Sequence, residues 1–345
     1  MTELLNALAN LSALKDRDEM DFALVELITR ASHWRISASR LLRAVGHLED
    51  QRWLTRARLA ERQASPERDR VWADWSGLPK RADHAHREAA VRTQAIVCAG
   101  AGPFTTIFPI DTQQAVCSLL EVESEQPLPV QTQQQIERIL QIYRNLQGLL
   151  DYGEKDALTE LLNRKTFDGA FLRAAVEQEG ATDPAHPNRR VSHPQYSYWL
   201  AVIDIDHFKR VNDNFGHLIG DEVLLLMARQ MRINFRFHDQ LYRFGGEEFV
   251  VLMRCADHAD AAGALERFRS KVQDYSFPQV GTITVSVGFA ALRPDDTPGG
   301  AFDRADKAVY HGKAHGRNQV CSYSELVGSG QLTEPAPEVN EADFF

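Results

Sequence analysis

Two carboxylates, Glu247 and Glu248, directly follow Gly245-Gly246, and Phe249 with the run Val250–Met253 follows at once. Paired glycines make a tight turn and leave bare backbone that a ligand can approach closely. Acids beside such backbone, at the tip of a β-hairpin, suit a hard cation together with a polyphosphate. A second cluster lies upstream. Residues 200–206, Leu-Ala-Val-Ile-Asp-Ile-Asp, read as an apolar strand ending in carboxylates, and Lys209, Asn212 and Asp221 follow. A Mg²⁺ site typically uses one or two carboxylates, with substrate phosphates and waters completing the octahedron. Asp204 and Glu247 are the candidates for that role. Lys209 offers a point charge for phosphates. Asn212 and Asp221 offer amide and carboxylate edges suited to guanine: acceptors for its N1–H and N2–H₂ groups and a donor for O6 or N3. Asp206 reads as a cap for the segment after it, and His207 and His217 as local packing or turn residues.

These residues need a frame of alternating helices and strands. The patterning predicts helices over Phe167–Val176, Asp221–Phe235, Ala259–Gln273 and Ala301–Gly312. Strands are predicted over Trp199–Asp204, Gln240–Arg243, Phe249–Met253 and Gly281–Ala290, with the glycine pair as a hairpin turn. Residues 177–197, rich in Pro, His, Asn and Arg, read as a surface loop inserted before the first central strand. Beyond residue 323 the chain turns acidic and carries Pro335 and Pro337, the composition of a disordered tail over 324–345.

Upstream, Leu4, Leu5, Leu8, Leu11 and Leu14, then Phe22 to Ile28, carry helical spacing. Ser39–Leu48 and Trp53–Glu61 mix apolar and basic residues. Gln94–Cys98, Thr105–Ile110 and Gln114–Val122 are better strand candidates. Between 129 and 155, Ile136, Ile139, Tyr143, Leu146 and Leu150 step by three and four, an a/d heptad seam. That seam serves either a parallel dimer stalk or packing on its own domain.

With 345 residues the chain has room for two domains, and 43% hydrophobic with 25% charged residues is ordinary globular composition. A net charge of −9 argues against a nucleic-acid partner. The four cysteines are scattered without a CxxC pair, which suggests neither a zinc site nor a disulfide framework. No run of 18 apolar residues suggests a membrane span, and the first residues lack a signal peptide's basic region. The expectation is a cytoplasmic protein.

The chain resembles the GGDEF-family diguanylate cyclases. The resemblance rests on six segments in family order: Asp156–Arg164, Asp204–Lys209, Asn212–His217 with Gly220-Asp221, Gly245–Phe249, Thr284–Gly288 and Lys313–Asn318. They cover residues ~155–323, about half of the chain. The implied fold class is α/β (α+β), a nucleotidyl-cyclase-like central sheet flanked by helices over 156–323. The implied activity condenses two GTP to cyclic di-GMP and two pyrophosphates. The resemblance assigns Asp204, the Ile205 carbonyl and Glu247 to Mg²⁺, and Glu248 to a second ligand position or to activation of the hydroxyl. It assigns Asn212 and Asp221 to guanine, and Lys209, Lys313 and Arg317 to phosphate. Gly245 and Gly246 stay small beneath the substrate. One site holds one GTP, so a homodimer is implied. Arg236 and Asp239, an RxxD sequence before the hairpin, match the inhibitory product site, which Arg267 or Arg269 completes.

Residues 1–128 resemble, in architecture alone, a GAF-type sensory domain of α+β class, with a PAS-like fold as the alternative and no ligand indicated. The competing function is a catalytically silent GGDEF-type receptor for nucleotide or cyclic di-GMP. A single-nucleotide cyclase fits less well, because Asn212 and Asp221 match guanine.

Overall fold

The computed structural model describes residues 2–46, 50–69, 75–110, 117–179 and 196–334. The chain forms two compact units, Met1–Gly153 and Glu154–Phe345. Among the described residues no helix is long and apolar enough to cross a membrane.

The first unit opens with helices α1 (Thr2–Ala13) and α2 (Arg17–Arg30). Asp16 caps α2 by accepting from the amides of Asp18 and Glu19. Strands β1 (Ile36–Val45) and β2 (Arg52–Ala60), helix α3 (Ala85–Thr93), strands β3 (Val97–Ala99), β4 (Phe104–Ile110) and β5 (Ser118–Ser124), and helix α4 (Val130–Glu154) follow. The sheet is antiparallel, in the order β2-β1-β5-β4-β3. One face packs Leu41, Ala57, Leu59, Phe108 and Leu120 against Leu11, Leu24, Ile28, Ile136 and Tyr143. The other buries Leu42, Ala44, Trp53, Ile107 and Leu119 with Ala90 of α3. A bulge between Leu41 and Leu42 leaves Arg56 as the extra residue of β2, because Leu41 pairs with Ala57 and Leu42 with Thr55.

Helix α4 decides between the two readings of the 129–155 seam in favour of packing on its own unit, against a dimer linker built on that seam. Its a/d seam does not stand free for a partner. Ile136, Ile139 and Tyr143 are buried in the core of the first unit, and Leu146 and Leu150 pack beside it. Polar bonds lock the same face. Tyr143 donates its hydroxyl to Asp21 at 2.5 Å, and Arg56 Nε donates to the other Asp21 oxygen at 2.9 Å. Arg17 bonds Gln147 and Asp151, both on α4.

The second unit contains β6 (Leu162–Asn163), α5 (Arg164–Glu179), β7 (Ser197–Ile205), α6 (Phe208–Phe215), α7 (His217–Asn234), β8 (Gln240–Gly245), β9 (Glu248–Cys255) and α8 (His258–Asp274). Then come β10 (Ser276–Phe277), β11 (Gly281–Thr282), β12 (Val285–Ala291), α9 (Pro298–Ala314), β13 (Val320–Ser322) and α10 (Tyr323–Gly328). The six-stranded sheet runs β13-β12-β7-β9-β8-β6, with antiparallel central pairs and parallel edge strands. Ala201, Ile203, Val251 and Val287 join Met227, Met231, Leu265 and Phe268 of α7 and α8 in the main core. Helix α9 packs on β12 and β7. Gly288 permits this contact, since a Cβ there would lie 2.2 Å from the Ala305 carbonyl oxygen and 2.4 Å from the Val309 nitrogen.

The predicted strand over Gly281–Ala290 is two strands. Gly281–Thr282 pairs with β10 as a separate ribbon, and Val285–Ala291 enters the main sheet. The expected disordered tail from 324 also needs correction. Tyr323 and Leu326 are buried with Ala290, Ala308 and Cys321, so helix α10 belongs to the folded unit. Residues 335–345 of that tail, and 180–195 of the expected loop, lie outside the described residues.

Candidate active site

The site forms where β7 ends beside the β8–β9 turn. Asp204 on β7 pairs in register with Glu248 on β9, so the two carboxylates sit on adjacent strands. The turn between β8 and β9 is Gly246-Glu247, with Gly245 at φ +148° and Gly246 at φ +51°. The second value is left-handed and favours glycine. A Cβ at either glycine would meet open space, so the bare backbone faces room for a ligand. Arg243 clamps the turn. Its Nε and Nη2 donate to the Gly246 carbonyl at 3.2 and 2.9 Å, and its Nη1 donates to Asp156 at 2.9 Å. Asp156 also accepts from the amide and hydroxyl of Thr159.

Lys313, near the end of α9, places its ammonium 2.6 Å from Asp204 Oδ2. Asp204 Oδ1 is buried with no hydrogen-bond partner among the described residues. Burial raises the proton affinity of Asp204, Glu247 and Glu248, and the Asp204 charge adds to it at both glutamates. Asp306 on α9 contributes as well, and burial raises its own carboxyl. The site therefore gathers negative charge around one lysine. An orphaned, buried carboxylate oxygen in an electronegative pocket of hard oxygen donors fits Mg²⁺. Among the described residues no three acidic, His or Cys side chains already converge as a ready cage. A Mg²⁺ site does not need one, because a backbone carbonyl, substrate phosphates and waters supply the remaining ligands.

Asp206 does not cap the next helix; His207, at φ +59°, holds that position without a side-chain bond. Asp206 is buried and accepts from Thr284 Oγ1 and Ser286 Oγ, each at 2.7 Å, and from the Asn318 amide at 3.0 Å. It ties β7 to β12 and to the loop carrying Arg317. Ile205 is buried at the strand end.

Asn212 on α6 and Asp221 on α7 flank the bend between these helices. Gly220 brings the helices close: a Cβ there would lie 2.0 Å from Asn212 Oδ1. Lys209 and Arg317 are exposed, the latter at φ +62°. Sequence reasoning missed Asp306 and Arg243 as site residues. Asp306 sits seven residues before Lys313, two turns along the same helix face, a spacing that is readable once Lys313 is chosen.

At the expected product site, the Asp239 side chain is only 6% exposed. Its Oδ2 accepts from the Arg236 amide at 2.8 Å, and Oδ1 lies 3.9 Å from His238 Nε2. Burial pushes its carboxyl up to about 6. Arg236 is half-exposed, 3.9 Å from Asp260. Arg269 is committed elsewhere, to Glu266, Gln273 and Asn318. Arg267 instead shares the neighbourhood of Cys255 with Asp239, Asp260 and Arg236.

Residues 154–319 match the family described as "Diguanylate cyclase, GGDEF domain". The chain is 36% identical over 188 residues to diguanylate cyclase DgcP of Pseudomonas aeruginosa, a stretch covering 49% of this chain and 28% of that protein. It is 37% identical over 198 residues to response regulator PleD of Caulobacter vibrioides, covering 55% of this chain and 41% of that one. The chain thus spans less than half the length of either relative. The crystal structure of the GGDEF domain of DgcB from Caulobacter crescentus in complex with c-di-GMP is 35% identical. The alignment covers 50% of this chain and 93% of that one, with a TM-score of 0.43.

Proposed function

We propose that this chain, whose residues 154–319 form a GGDEF domain, condenses two GTP molecules into cyclic di-GMP with release of two pyrophosphates. The observation that carries the reading is the meeting of Asp204, Glu247, Glu248 and Lys313 beside the bare Gly245-Gly246 backbone. In each half-reaction the 3′-oxygen of one GTP forms a bond to the α-phosphorus of the other. The bond from that phosphorus to the pyrophosphate oxygen breaks, and the hydroxyl proton is taken up. Glu248, cross-strand from Asp204, would hold the attacking hydroxyl and accept its proton. Asp204, the Ile205 carbonyl and Glu247 would hold Mg²⁺, which when bound neutralises phosphate charge. Lys313, Lys209 and Arg317 meet the phosphates, and Asn212 with Asp221 reads guanine.

Each site presents one nucleotide, so two copies must meet with their sites opposed. The buried a/d seam of α4 is not free for that contact. Its opposite face is: Ile142, Leu149 and Tyr152, spaced by seven and three, are 39%, 70% and 90% exposed. That stripe is the better seam for a second copy. Arg236, Asp239 and Arg267 form the product site for feedback inhibition. The first unit is a GAF-like sensory domain.

Incubation of the purified full chain with GTP and Mg²⁺, followed by nucleotide analysis, tests the reading. Cyclic di-GMP with two pyrophosphates per product is expected. Bound but unconverted GTP would instead make the domain a receptor.

A further inference from the structure

The β8–β9 turn is entered through Phe244, and this ring carries a cation. Strand β6 pairs in parallel with β8, Leu162 with Tyr242 and Asn163 with Arg243, so residue 164 emerges beside Phe244. Asn163 caps α5 by accepting from the amides of Lys165 and Thr166 at 2.9 and 3.3 Å, and Arg164 starts that helix. The Arg164 guanidinium lies over the Phe244 ring, 5.5 Å from its centroid. Phe244 in turn stacks on Phe302 of α9, with centroids 5.2 Å apart and planes 12° from parallel, and meets Phe167 of α5 edge-on at 5.1 Å.

The ring stands on the side of the sheet that bears the site. Tyr242 and Phe244 both touch Phe167, so both point to the α5–α9 side. Tyr242 pairs with Val250, and Glu248 lies two residues along β9 on that same side. Burial and the Asp204 charge raise the Glu248 carboxyl, and the Arg164 charge opposes them. Yet Arg164 is exposed and, among the described residues, makes neither an ion pair nor a hydrogen bond. The other cations nearby are engaged: Lys313 with Asp204, and Arg243 with Asp156 and Gly246. A guanidinium is thus held by stacking beside Glu248, with its planar fork open.

We infer that Arg164 is a further catalytic residue, whose fork takes a non-bridging oxygen of the α-phosphate of the bound GTP, the phosphate attacked beside Glu248. Phosphate matches a planar guanidinium fork. Guanine is the weaker match, because its proposed readers sit on α6 and α7, which follow β7, and Arg164 stands at β8, two strands away in the sheet. No bond to Arg164 forms or breaks in the reaction, and it keeps its proton. It offsets charge on the phosphate oxygens while the 3′-oxygen bonds and pyrophosphate leaves. This inference deepens the cyclase reading and rests on it.

The test uses 3′-deoxy-GTP, which lacks the attacking hydroxyl, so calorimetric titration of the full chain with Mg²⁺ present reads binding without turnover. Arg164→Gln keeps the stem on Phe244 and removes the charge. Affinity for 3′-deoxy-GTP should fall ~10-fold or more, the loss of one charge-assisted contact. Inorganic triphosphate, competing with it, should weaken in similar proportion. The kcat/KM for cyclic di-GMP formation should fall by at least the same factor. Equal binding stoichiometry in parent and variant shows that folded molecules are being compared. The inference is overturned if the variant binds 3′-deoxy-GTP like the parent. It also falls if the nucleotide weakens while triphosphate does not, which would make Arg164 a base or sugar contact. A parent that binds 3′-deoxy-GTP but forms no cyclic di-GMP from GTP refutes the cyclase reading alone, and the phosphate contact is still judged by the variant's affinity. No binding to the parent up to ~1 mM, the range of weak specific binding, overturns both.

Discussion

Gly220→Ala separates catalysis from stability in a way that little else in the second unit can. Gly220 lies inside α7 at a helical φ, so alanine fits the backbone and helix propensity favours it by ~1 kcal/mol. The new methyl would lie 2.0 Å from Asn212 Oδ1 and 3.1 Å from its Cγ, whereas ordinary contact begins at 3.4 Å. The amide must retreat by ~1 Å or more, and being the far end of a side chain it can do so cheaply. It then no longer sits where the proposed reading has it meet guanine. A displacement on that scale costs up to ~10²-fold in rate, and loss of one neutral hydrogen bond ~1 kcal/mol. The expected result is a 10- to 100-fold fall in kcat/KM for GTP, by those same estimates, with an unchanged or raised melting temperature. Pyrophosphate release at varied GTP, beside thermal melts, measures both. The Asn212→Ala background supplies the control. If the methyl acts only through Asn212, adding Gly220→Ala there changes little. Normal kcat/KM in the single variant, or an undiminished loss in the Asn212→Ala background, would refute the geometry.

Glu248→Gln should leave the fold intact and lower cyclic di-GMP formation by ~10²–10⁴, the usual worth of such a group; near-normal turnover excludes it from the chemistry. Arg236→Ala should weaken product inhibition by ~10-fold or more through loss of a charge-assisted contact, without loss of initial rate, as a cyclic di-GMP titration would read. Asp239, pushed up to about 6, must be ionised to accept from guanine, so inhibition should fade as pH drops through that value. Linkage has the opposite sign for folding. Between the ordinary value of 3.8 and about 6 the folded state holds the extra proton, so Asp239's contribution to stability declines as pH rises across that window. Gly288→Ala drives a methyl against backbone of α9, which cannot swing aside; chemical denaturation should show a loss of ~1–3 kcal/mol or more.

The residues that gave themselves away in the sequence are those under a local rule. Gly245-Gly246 punctuates two apolar runs, so the hairpin and its acids could be located, and the strand leading to Asp204 stands out by its uninterrupted apolar run. What the sequence left open depends on which surface covers which. The Ile136–Leu150 seam has the same period whether a second copy or its own sheet buries it. Only the positions of Leu11, Leu24 and Phe108 decide for the latter. Asp206 looked like a cap because capping is a local interaction, whereas its real partners, Thr284, Ser286 and Asn318, lie about eighty and more residues away. Asp306 carries no motif, and matters because α9 lies across the end of β7.

The bulge at Arg56 has a consequence for how the first unit can vary through descent. Odd-numbered Trp53 and Thr55 face the α3 side, yet odd-numbered Ala57 and Leu59 face the helices, because the extra residue inverts the strand's phase. Substitutions along β2 alter one face at a time. Deleting Arg56 alone would remove the bulge and place Thr55 next to Ala57, which restores strict alternation with every remaining residue on its present face. Variation by replacement can therefore change the side chains on the α3 side while the helical face stays fixed, whereas deletion of Arg56 keeps both faces and removes the guanidinium that bonds Asp18 and Asp21 of α2.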